Sequence, residues 1–201
     1  MKAFELRIAA LLVATIAMFA TALQAQRTGD ASKPVAASQG PEATEVWTDH
    51  LKIKNYPSQP EISPGRPVSL VVEIEPGARM HVYAPGADDY QVITLRMAEQ
   101  PFVRLPPVQY PASEIYVFEP LDERIPVYQR PFKLIQDVTL DTRPEALAAF
   151  RSKPSLKVTG TLEYQACDDK VCFKPVSVPL SWTLALRPSG AQGSGGTPAS
   201  R

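Results

Sequence analysis

Apolar and polar residues alternate along several stretches of the chain. A period of two places successive side chains on opposite faces of an extended strand, so this alternation predicts strands with one face buried. Five long stretches show the pattern: Val68 to Ile74, Val92 to Met97, Phe132 to Leu140, Leu156 to Tyr164, and Val176 to Leu186. We expect them to be half-buried strands of antiparallel sheets.

Shorter strand candidates lie between the long ones, at Val46 to Ile53, Met80 to Tyr83 and Glu114 to Phe118. Pro-Gly pairs between the candidates are typical of turns. Residues Arg143 to Phe150 favour a short helix, because Pro144 fits a first turn and several alanines follow it. The predicted fold class is all-β: an immunoglobulin-like antiparallel β-sandwich of about seven to nine strands with one short connecting helix.

The first 25 residues have the pattern of a signal peptide. Lys2 and Arg7 give a positive start, an apolar run extends from Ile8 to Phe19, and Ala20-Thr21-Ala22 is an A-x-A cleavage pattern. Cleavage after Ala25 is a second option. An uncleaved membrane anchor is the alternative, since the run is close to the minimum spanning length. We expect a periplasmic or otherwise exported protein that has no membrane segment after cleavage.

Two segments flank the predicted domain. Residues 26–44 and 188–201 are rich in Ala, Ser, Gly and Pro and have no apolar period. Such segments bury too little surface to offset the entropy of ordering them, so we expect a disordered linker and a disordered tail. The predicted β-sandwich domain therefore spans residues 45–187.

Composition excludes several classes of protein. The 201 residues include 21 prolines, which disfavours helical bundles and coiled coils. The 21 basic residues balance 21 acidic ones, so no basic field is available to hold nucleic acid. Two cysteines with only His50 and His81 to add to them argue against a structural zinc site. We expect no metal, no cofactor and no nucleic-acid partner.

The candidate chemistry lies in the pair Cys167 and Cys172, between two strong strand candidates. In an exported protein two thiols this close are normally oxidised to each other. Closing a loop of about six residues stabilises a fold by only about 2 kcal/mol, against about 4.7 kcal/mol for a hundred-residue loop. The residues alone leave two interpretations open: a structural disulfide that shapes one loop, and a redox-active pair.

The segment Tyr164 to Pro175, YQACDDKVCFKP, followed by the strand VSVPLSW, resembles the active-site segment of the N-terminal periplasmic domain of the DsbD thiol:disulfide interchange family. The resemblance extends to Pro76-Gly77, to His81-Val82-Tyr83 and to Ser113-Glu114-Ile115-Tyr116. It implies an immunoglobulin-like sandwich whose cysteine pair accepts electrons from a thioredoxin-like domain. The pair then passes them to oxidised periplasmic proteins, including those of cytochrome c maturation.

The resemblance also implies roles for the cysteines. Cys172 is expected to form the mixed disulfide with partners, and Cys167 to resolve it. The local charges agree, because Asp168 and Asp169 disfavour a thiolate at Cys167 whereas Lys170 lies nearer to Cys172.

A shell or cap around the cysteines is the second implication. Tyr110 is expected to supply an aromatic cap, and Tyr83 and His81 occupy strand positions beside the pair. The full set of shell candidates is Tyr83, His81, Tyr110, Tyr164, Asp168, Lys170 and Phe173. The alternative is that Tyr83, Tyr110 and Tyr116 are core or edge aromatics, that His81 is a surface or satisfied histidine, and that Asp168 and Asp169 are first of all residues of a hairpin tip.

This sequence departs from the family pattern in two ways. Four residues separate the cysteines, where the best-known members have five, and the multi-span membrane domain and C-terminal thioredoxin-like domain of full DsbD do not follow in this sequence. We therefore expect a free-standing domain whose electron donor and acceptors are separate proteins. The predicted function is protein-disulfide reductase-type exchange in a relay, with sulfur carrying the electrons and no cofactor. The alternative is a non-catalytic immunoglobulin-like binding or assembly module with a structural disulfide.

Overall fold

A computed structural model describes residues 42–119 and 122–187. The predicted signal peptide, the predicted tail at 188–201 and the linker up to residue 41 lie outside the described residues. Within the described part, no helix is both long enough and apolar enough to cross a membrane.

Thirteen strands and one helix form the described part of the chain. The elements are β1 (Thr44–Trp47), β2 (Leu51–Pro57), β3 (Glu61–Ile62), β4 (Val68–Pro76), β5 (His81–Tyr83), β6 (Thr94–Met97), β7 (Val103–Arg104), β8 (Glu114–Phe118), β9 (Glu123–Tyr128), β10 (Phe132–Leu140), α1 (Pro144–Phe150), β11 (Ser155–Tyr164), β12 (Ala166–Cys167) and β13 (Val176–Leu186).

The strands form three sheets. The first has the order β1-β2-β4-β10-β7, the second β3-β13-β11-β6, and the third β12-β5-β9-β8. Neighbouring strands are antiparallel except β3 and β13, which are parallel. The amide of Asn55 on β2 donates a 2.9 Å hydrogen bond to the Ser181 carbonyl on β13, which joins the first sheet to the second. The predicted all-β sandwich with one short helix is confirmed.

The main core lies between the first two sheets. Alternate residues of β10 and β13 point into it, so that Leu134, Val138, Leu180 and Leu184 are buried while their neighbours are less so. Each such side chain contributes roughly 1.5–3 kcal/mol when it leaves water. The period of two in the sequence therefore translates directly into the faces of the sheets.

A second, smaller cluster of buried side chains belongs mostly to the third sheet. It consists of Tyr83, Ala87, Ile125, Val127 and Cys167, and we call it the disulfide cluster. Partly buried Tyr90, Val92, Tyr116 and Phe118 pack against it. The third sheet thus places one cysteine of the candidate pair in an apolar cluster separate from the main core.

Several predicted elements differ from the observed ones. The candidate at Val46 to Ile53 is two strands, β1 and β2, because Thr48 caps a turn between them by accepting the Leu51 N–H at 2.9 Å. The number of strands exceeds the predicted number because β3, β7 and β12 contain only two residues each and β9 contains Pro126. Proline argues against a central strand, since it cannot donate to the ladder. Here Pro126 lies just past the end of β5, and its carbonyl accepts the Ala84 N–H at 2.9 Å.

Candidate functional site

The cysteines occupy a tight turn that follows β11. Strand β12 pairs with β5, which sets Cys167 opposite His81. Cys167 and Cys172 form a disulfide, and their Cα atoms are 4.0 Å apart. The Asp168 N–H donates to the Val171 carbonyl at 3.0 Å, and the Phe173 N–H donates to the Ala166 carbonyl at 2.9 Å. The loop from Cys167 to Cys172 is therefore defined by the disulfide together with backbone hydrogen bonds within the loop and beside it.

The Asp168 carboxylate stabilises the tip of this loop. Its Oδ1 accepts the backbone N–H groups of Lys170 at 2.7 Å and Val171 at 2.8 Å. These two bonds, the Val171 bond first, lower the pKa of Asp168 because they favour the charged form. Short side chains that accept backbone hydrogens two or three residues on are typical of turns. In this structure Asp168 therefore acts on the shape of the loop.

The two cysteines differ in their exposure. Cys167 is only 1% exposed, within the disulfide cluster, whereas Cys172 is exposed at the protein surface. A thiolate of another molecule must approach a sulfur directly to exchange with a disulfide. The residue open to such an approach is Cys172, and the sulfur released by that attack belongs to the buried Cys167.

Tyr83 lies against both sulfurs. Its Oη is 3.3 Å from Cys172 Sγ and 3.2 Å from Cys167 Sγ. Because a disulfide carries no S–H, the tyrosine hydroxyl is the donor in the oxidised protein. Burial, followed by the charge of Glu123, raises the pKa of Tyr83 above its ordinary value, so the hydroxyl keeps its proton at neutral pH.

Tyr90 covers Tyr83 on the side of the loop between β5 and β6. The two rings stack with their centroids 4.2 Å apart at an interplanar angle of 21°. The Tyr90 hydroxyl donates a 2.5 Å hydrogen bond to Glu123 Oε2 at the start of β9. That bond is the main reason that the pKa of Tyr90 is raised to about 12. The carboxylate thereby holds Tyr90 on Tyr83.

His81 is buried beside these tyrosines. Its ring stacks on Tyr116 at 4.8 Å and meets the edge of Tyr83 at 5.6 Å. Burial lowers the pKa of His81 because it disfavours the imidazolium, and the charges of Asp169 and Asp168 oppose that shift in part. The imidazole is therefore neutral at neutral pH.

A cleft of about 180 Å³ opens beside the disulfide. It is lined by His81, Tyr83, Tyr90, Tyr116, Phe118, Ile125, Cys167, Asp168, Asp169, Lys170, Val171 and Cys172. We call it the disulfide cleft. Aromatic and aliphatic side chains form its walls, and the two sulfurs lie in the same cleft as those side chains.

Comparison by sequence matches the chain to no family model and to no curated protein. Among solved structures, the fold is similar to that of the N-terminal periplasmic domain of ScsB from Proteus mirabilis. The TM-score is 0.51 at 12% sequence identity, over 76% of this chain and 55% of that one. The likeness shows the fold. At this identity it concerns the fold alone, and this chain spans about half the length of that structure.

The structure brings five of the predicted shell residues to the loop. Tyr83, His81, Asp168 and Lys170 line the disulfide cleft. Phe173 follows the loop and is not part of the cleft lining; its ring packs against that of His50, with centroids 4.4 Å apart and the planes tilted by 36°.

Two predicted shell residues lie away from the disulfide cleft. Tyr110 packs against the main core near Leu95, so the structure does not bring the expected cap to the cysteines. Tyr164 is fully buried in the main core, where its hydroxyl shares a 2.8 Å hydrogen bond with Thr48. Tyr110 agrees with the alternative interpretation of a core or edge aromatic.

Sequence reasoning missed several residues of this region, among them Tyr90, Phe118, Glu123 and Ile125. Tyr90 lies in an irregular loop, and Glu123 and Ile125 lie on the strand that Pro126 concealed. Phe118 ends a strand that was predicted, but Ile115 and Val117 on the opposite face are apolar too, so the sequence does not indicate which face is buried. The other contacts depend on the tertiary fold and leave no local pattern.

Proposed function

We propose that this protein exchanges thiols and disulfides with other proteins through Cys167 and Cys172. The observation that carries the proposal is the disulfide itself: an exposed Cys172 bonded to a buried Cys167, with the Tyr83 hydroxyl within 3.3 Å of both sulfurs. A disulfide that only shapes a loop needs neither an open sulfur nor a hydroxyl placed at both sulfur atoms.

Reduction of the pair proceeds in two exchange steps. A thiolate of a dithiol partner attacks Cys172 Sγ, a new intermolecular S–S bond forms, and the Cys167–Cys172 bond breaks. The electron pair of the broken bond leaves on Cys167 as a thiolate, and Tyr83 donates a hydrogen bond to it. The partner's second thiolate then attacks its own sulfur of the mixed disulfide and releases Cys172. Two electrons have moved from the partner to this protein.

The reduced protein passes the electrons on by the reverse chemistry. Cys172 as a thiolate attacks the disulfide of an oxidised partner, and one partner sulfur leaves. Cys167 then attacks Cys172 Sγ in the mixed disulfide, which reforms the internal bond and releases the partner in its dithiol form. The sulfurs carry both electrons, so the cycle requires no cofactor.

The partners follow from the DsbD resemblance described above. We propose a thioredoxin-like electron donor and oxidised envelope proteins as acceptors, including those of cytochrome c maturation. An exported location supports this assignment, because stable protein disulfides belong to oxidising compartments. The similar fold of a periplasmic domain of ScsB supports the same location.

A redox equilibrium tests the proposal. The protein is equilibrated with reduced and oxidised glutathione or dithiothreitol, and the fraction of disulfide is read by mass spectrometry after alkylation. We expect a potential in the range of exchange proteins, above about −300 mV, whereas structural disulfides lie below about −300 mV. A value in the lower range would favour the binding module with a structural disulfide.

Trapping of mixed disulfides provides a second test with a matched pair of variants. Cys167→Ala leaves the exposed Cys172, and Cys172→Ala leaves the buried Cys167. With oxidised glutathione we expect Cys167→Ala to form the mixed disulfide at least about tenfold faster, because access and thiolate character govern attack. Equal rates for the two variants would contradict the assigned roles.

A further inference from the structure

We propose that the disulfide cleft binds an apolar side chain next to the reactive cysteine of a partner polypeptide. This inference rests on the proposed function and names the substrate class of the same site: protein thiols in an apolar sequence context. Thiols in a polar context react more slowly at this disulfide.

The walls of the cleft carry the inference. Phe118, Ile125 and Tyr90 line the cleft together with both cysteines. Ile125 belongs to the buried disulfide cluster, and Phe118 and Tyr90 pack against that cluster while part of each ring stays accessible. Accessible apolar surface within a concave site is the usual lining of a binding pocket.

The size of the cleft fits one side chain. Its volume is about 180 Å³, and an apolar cavity of about 150 Å³ is large enough to bind benzene. A leucine or phenylalanine side chain therefore fills it.

The occupant must belong to a polypeptide that carries a cysteine. Exchange requires a sulfur of the partner at Cys172, and Cys172 shares the cleft with Phe118. Neighbouring Cα atoms are about 3.8 Å apart, so the residues beside a partner's cysteine reach the walls while its sulfur reaches Cys172. The same approach brings the partner close to Asp168, Asp169 and Lys170 at the rim.

One wall of the cleft is held in place before any partner arrives. The Tyr90 ring stacks on that of Tyr83 with the centroids 4.2 Å apart, and its hydroxyl donates a 2.5 Å hydrogen bond to the Glu123 carboxylate. A site that is already formed binds without the entropic cost of ordering its side chains. The apolar contact is therefore available to a short peptide as well as to a folded partner.

The strand β8 offers a matched pair of variants. Side chains alternate along it, so Phe118 faces the disulfide cleft while Val117 points away and is 45% exposed. Phe118→Ala removes a wall of the cleft, and Val117→Ala removes apolar surface from the neighbouring position without touching the cleft.

The experiment measures rates of reduction of the oxidised protein by capped pentapeptides with a central cysteine. One peptide has phenylalanine on both sides of the cysteine and the other has serine; both are neutral, so the rim charges act alike on them. We expect the phenylalanine peptide to react about five- to tenfold faster, after correction for the pKa of each thiol. Phe118→Ala should lower that ratio at least threefold, and Val117→Ala should preserve it.

The outcomes separate this inference from the proposed function. If both peptides reduce the wild-type disulfide at equal rates, the apolar subsite is wrong and the exchange function stands. If neither peptide nor dithiothreitol reduces the folded protein, the proposed function and the inference both fail. The wild-type ratio decides the question even if Phe118→Ala does not fold.

Discussion

The described part of the chain contains two apolar clusters that differ in kind. The main core is drawn largely from aliphatic residues of the first two sheets, and side chains of α1 and of the third sheet complete it. The disulfide cluster is small, surrounded by partly exposed Tyr90, Tyr116 and Phe118, and opens to the disulfide cleft. Its polar groups are the Tyr83 hydroxyl and the sulfur of Cys167.

The difference separates stability from chemistry. Burial of many aliphatic side chains stabilises the fold in proportion to the area removed from water, and that demands a closed core. Thiol–disulfide exchange instead requires a sulfur that a partner can reach, and that demands a site open to the surface. By placing Cys167 in a separate cluster on a short third sheet, the fold keeps the reacting bond accessible without opening the main core.

The largest expected effect lies in the main core. Leu134→Ala should lower the free energy of unfolding by about 2–5 kcal/mol, because a fully buried leucine leaves a cavity. The rate of disulfide reduction in the folded variant should stay that of the wild type. Denaturant unfolding and stopped-flow reduction by dithiothreitol check the two parts.

Val117→Ala is the control for this substitution, since its side chain is 45% exposed and should cost less than about 0.5 kcal/mol. A slower reduction rate in Leu134→Ala under conditions where it is folded would show that the two clusters are coupled, contrary to the separation argued above.

The two clusters also differ in how far the sequence predicts them. The main core follows from periodicity: β10 and β13 have the predicted bounds, and their alternate residues are the buried ones. A period of two fixes the buried face of a strand whatever the rest of the fold does. The position of the cysteine loop was predictable for the same reason, because it joins two such strands.

The disulfide cluster depends on contacts that no period encodes. Pro126 conceals β9, the strand that brings Glu123 and Ile125 to the site. Tyr90 reaches Tyr83 from an irregular loop, and loops carry no periodic signal. From the sequence the aromatic cap is expected at Tyr110, and only the fold shows that Tyr90 lies beside the cysteines instead.

Within the disulfide cluster, the largest effect is expected at Tyr83. Tyr83→Phe removes the hydroxyl that lies 3.2 Å from Cys167 Sγ, so the thiolate released there loses a donor. Reduction by dithiothreitol should slow by about tenfold, since a hydrogen bond to a charged group contributes roughly 1.5–3 kcal/mol. The pKa of the Cys167 thiol in the reduced protein should rise for the same reason, as alkylation rates at several pH values will report.

Tyr128→Phe is the matched control. Its hydroxyl is buried in the main core and donates to the Pro111 carbonyl at 2.9 Å. We expect a loss of about 0.5–1.5 kcal/mol in stability and no change in the reduction rate. If both variants slow reduction equally, the effect of Tyr83 is one of stability and its assigned role is lost.

A smaller effect is expected at the carboxylate that holds Tyr90. Glu123→Gln keeps a hydrogen-bond acceptor but removes the charge, so the pKa of Tyr90 should fall from about 12 towards its ordinary value of 10.0. Ultraviolet absorbance follows this titration. Reduction by dithiothreitol should change by no more than about threefold, because Tyr83 keeps its contact with the sulfurs and only its support changes.

The raised pKa of Tyr90 also makes the stability of the fold depend on pH, which provides a second measurement for Glu123→Gln. The pKa of Tyr90 is higher in the folded protein than in the unfolded chain, so the unfolded chain loses its proton first as the pH rises. Wild-type stability should therefore fall between pH 10 and about pH 12, and Glu123→Gln should weaken that fall. An unchanged titration would mean that Glu123 does not hold Tyr90 in solution.

The smallest expected effect concerns His81, which borders both the sulfurs and the aromatic rings. Burial lowers its pKa below the ordinary value of 6.5, so the unfolded chain binds the proton more readily than the folded protein. Wild-type stability should therefore decrease as the pH falls through 6.5 towards the lower folded-state pKa, and be restored above 6.5.

His81→Gln removes the titrating group and should flatten that decrease, as denaturant unfolding at several pH values will measure. Asp168 and Asp169 face the imidazole, and their charges limit the effect because they favour the imidazolium. A Gln variant that keeps the full wild-type slope would show that the imidazole titrates as in the unfolded chain. Burial beside Tyr116 would then not outweigh the two aspartates in setting the pKa of His81.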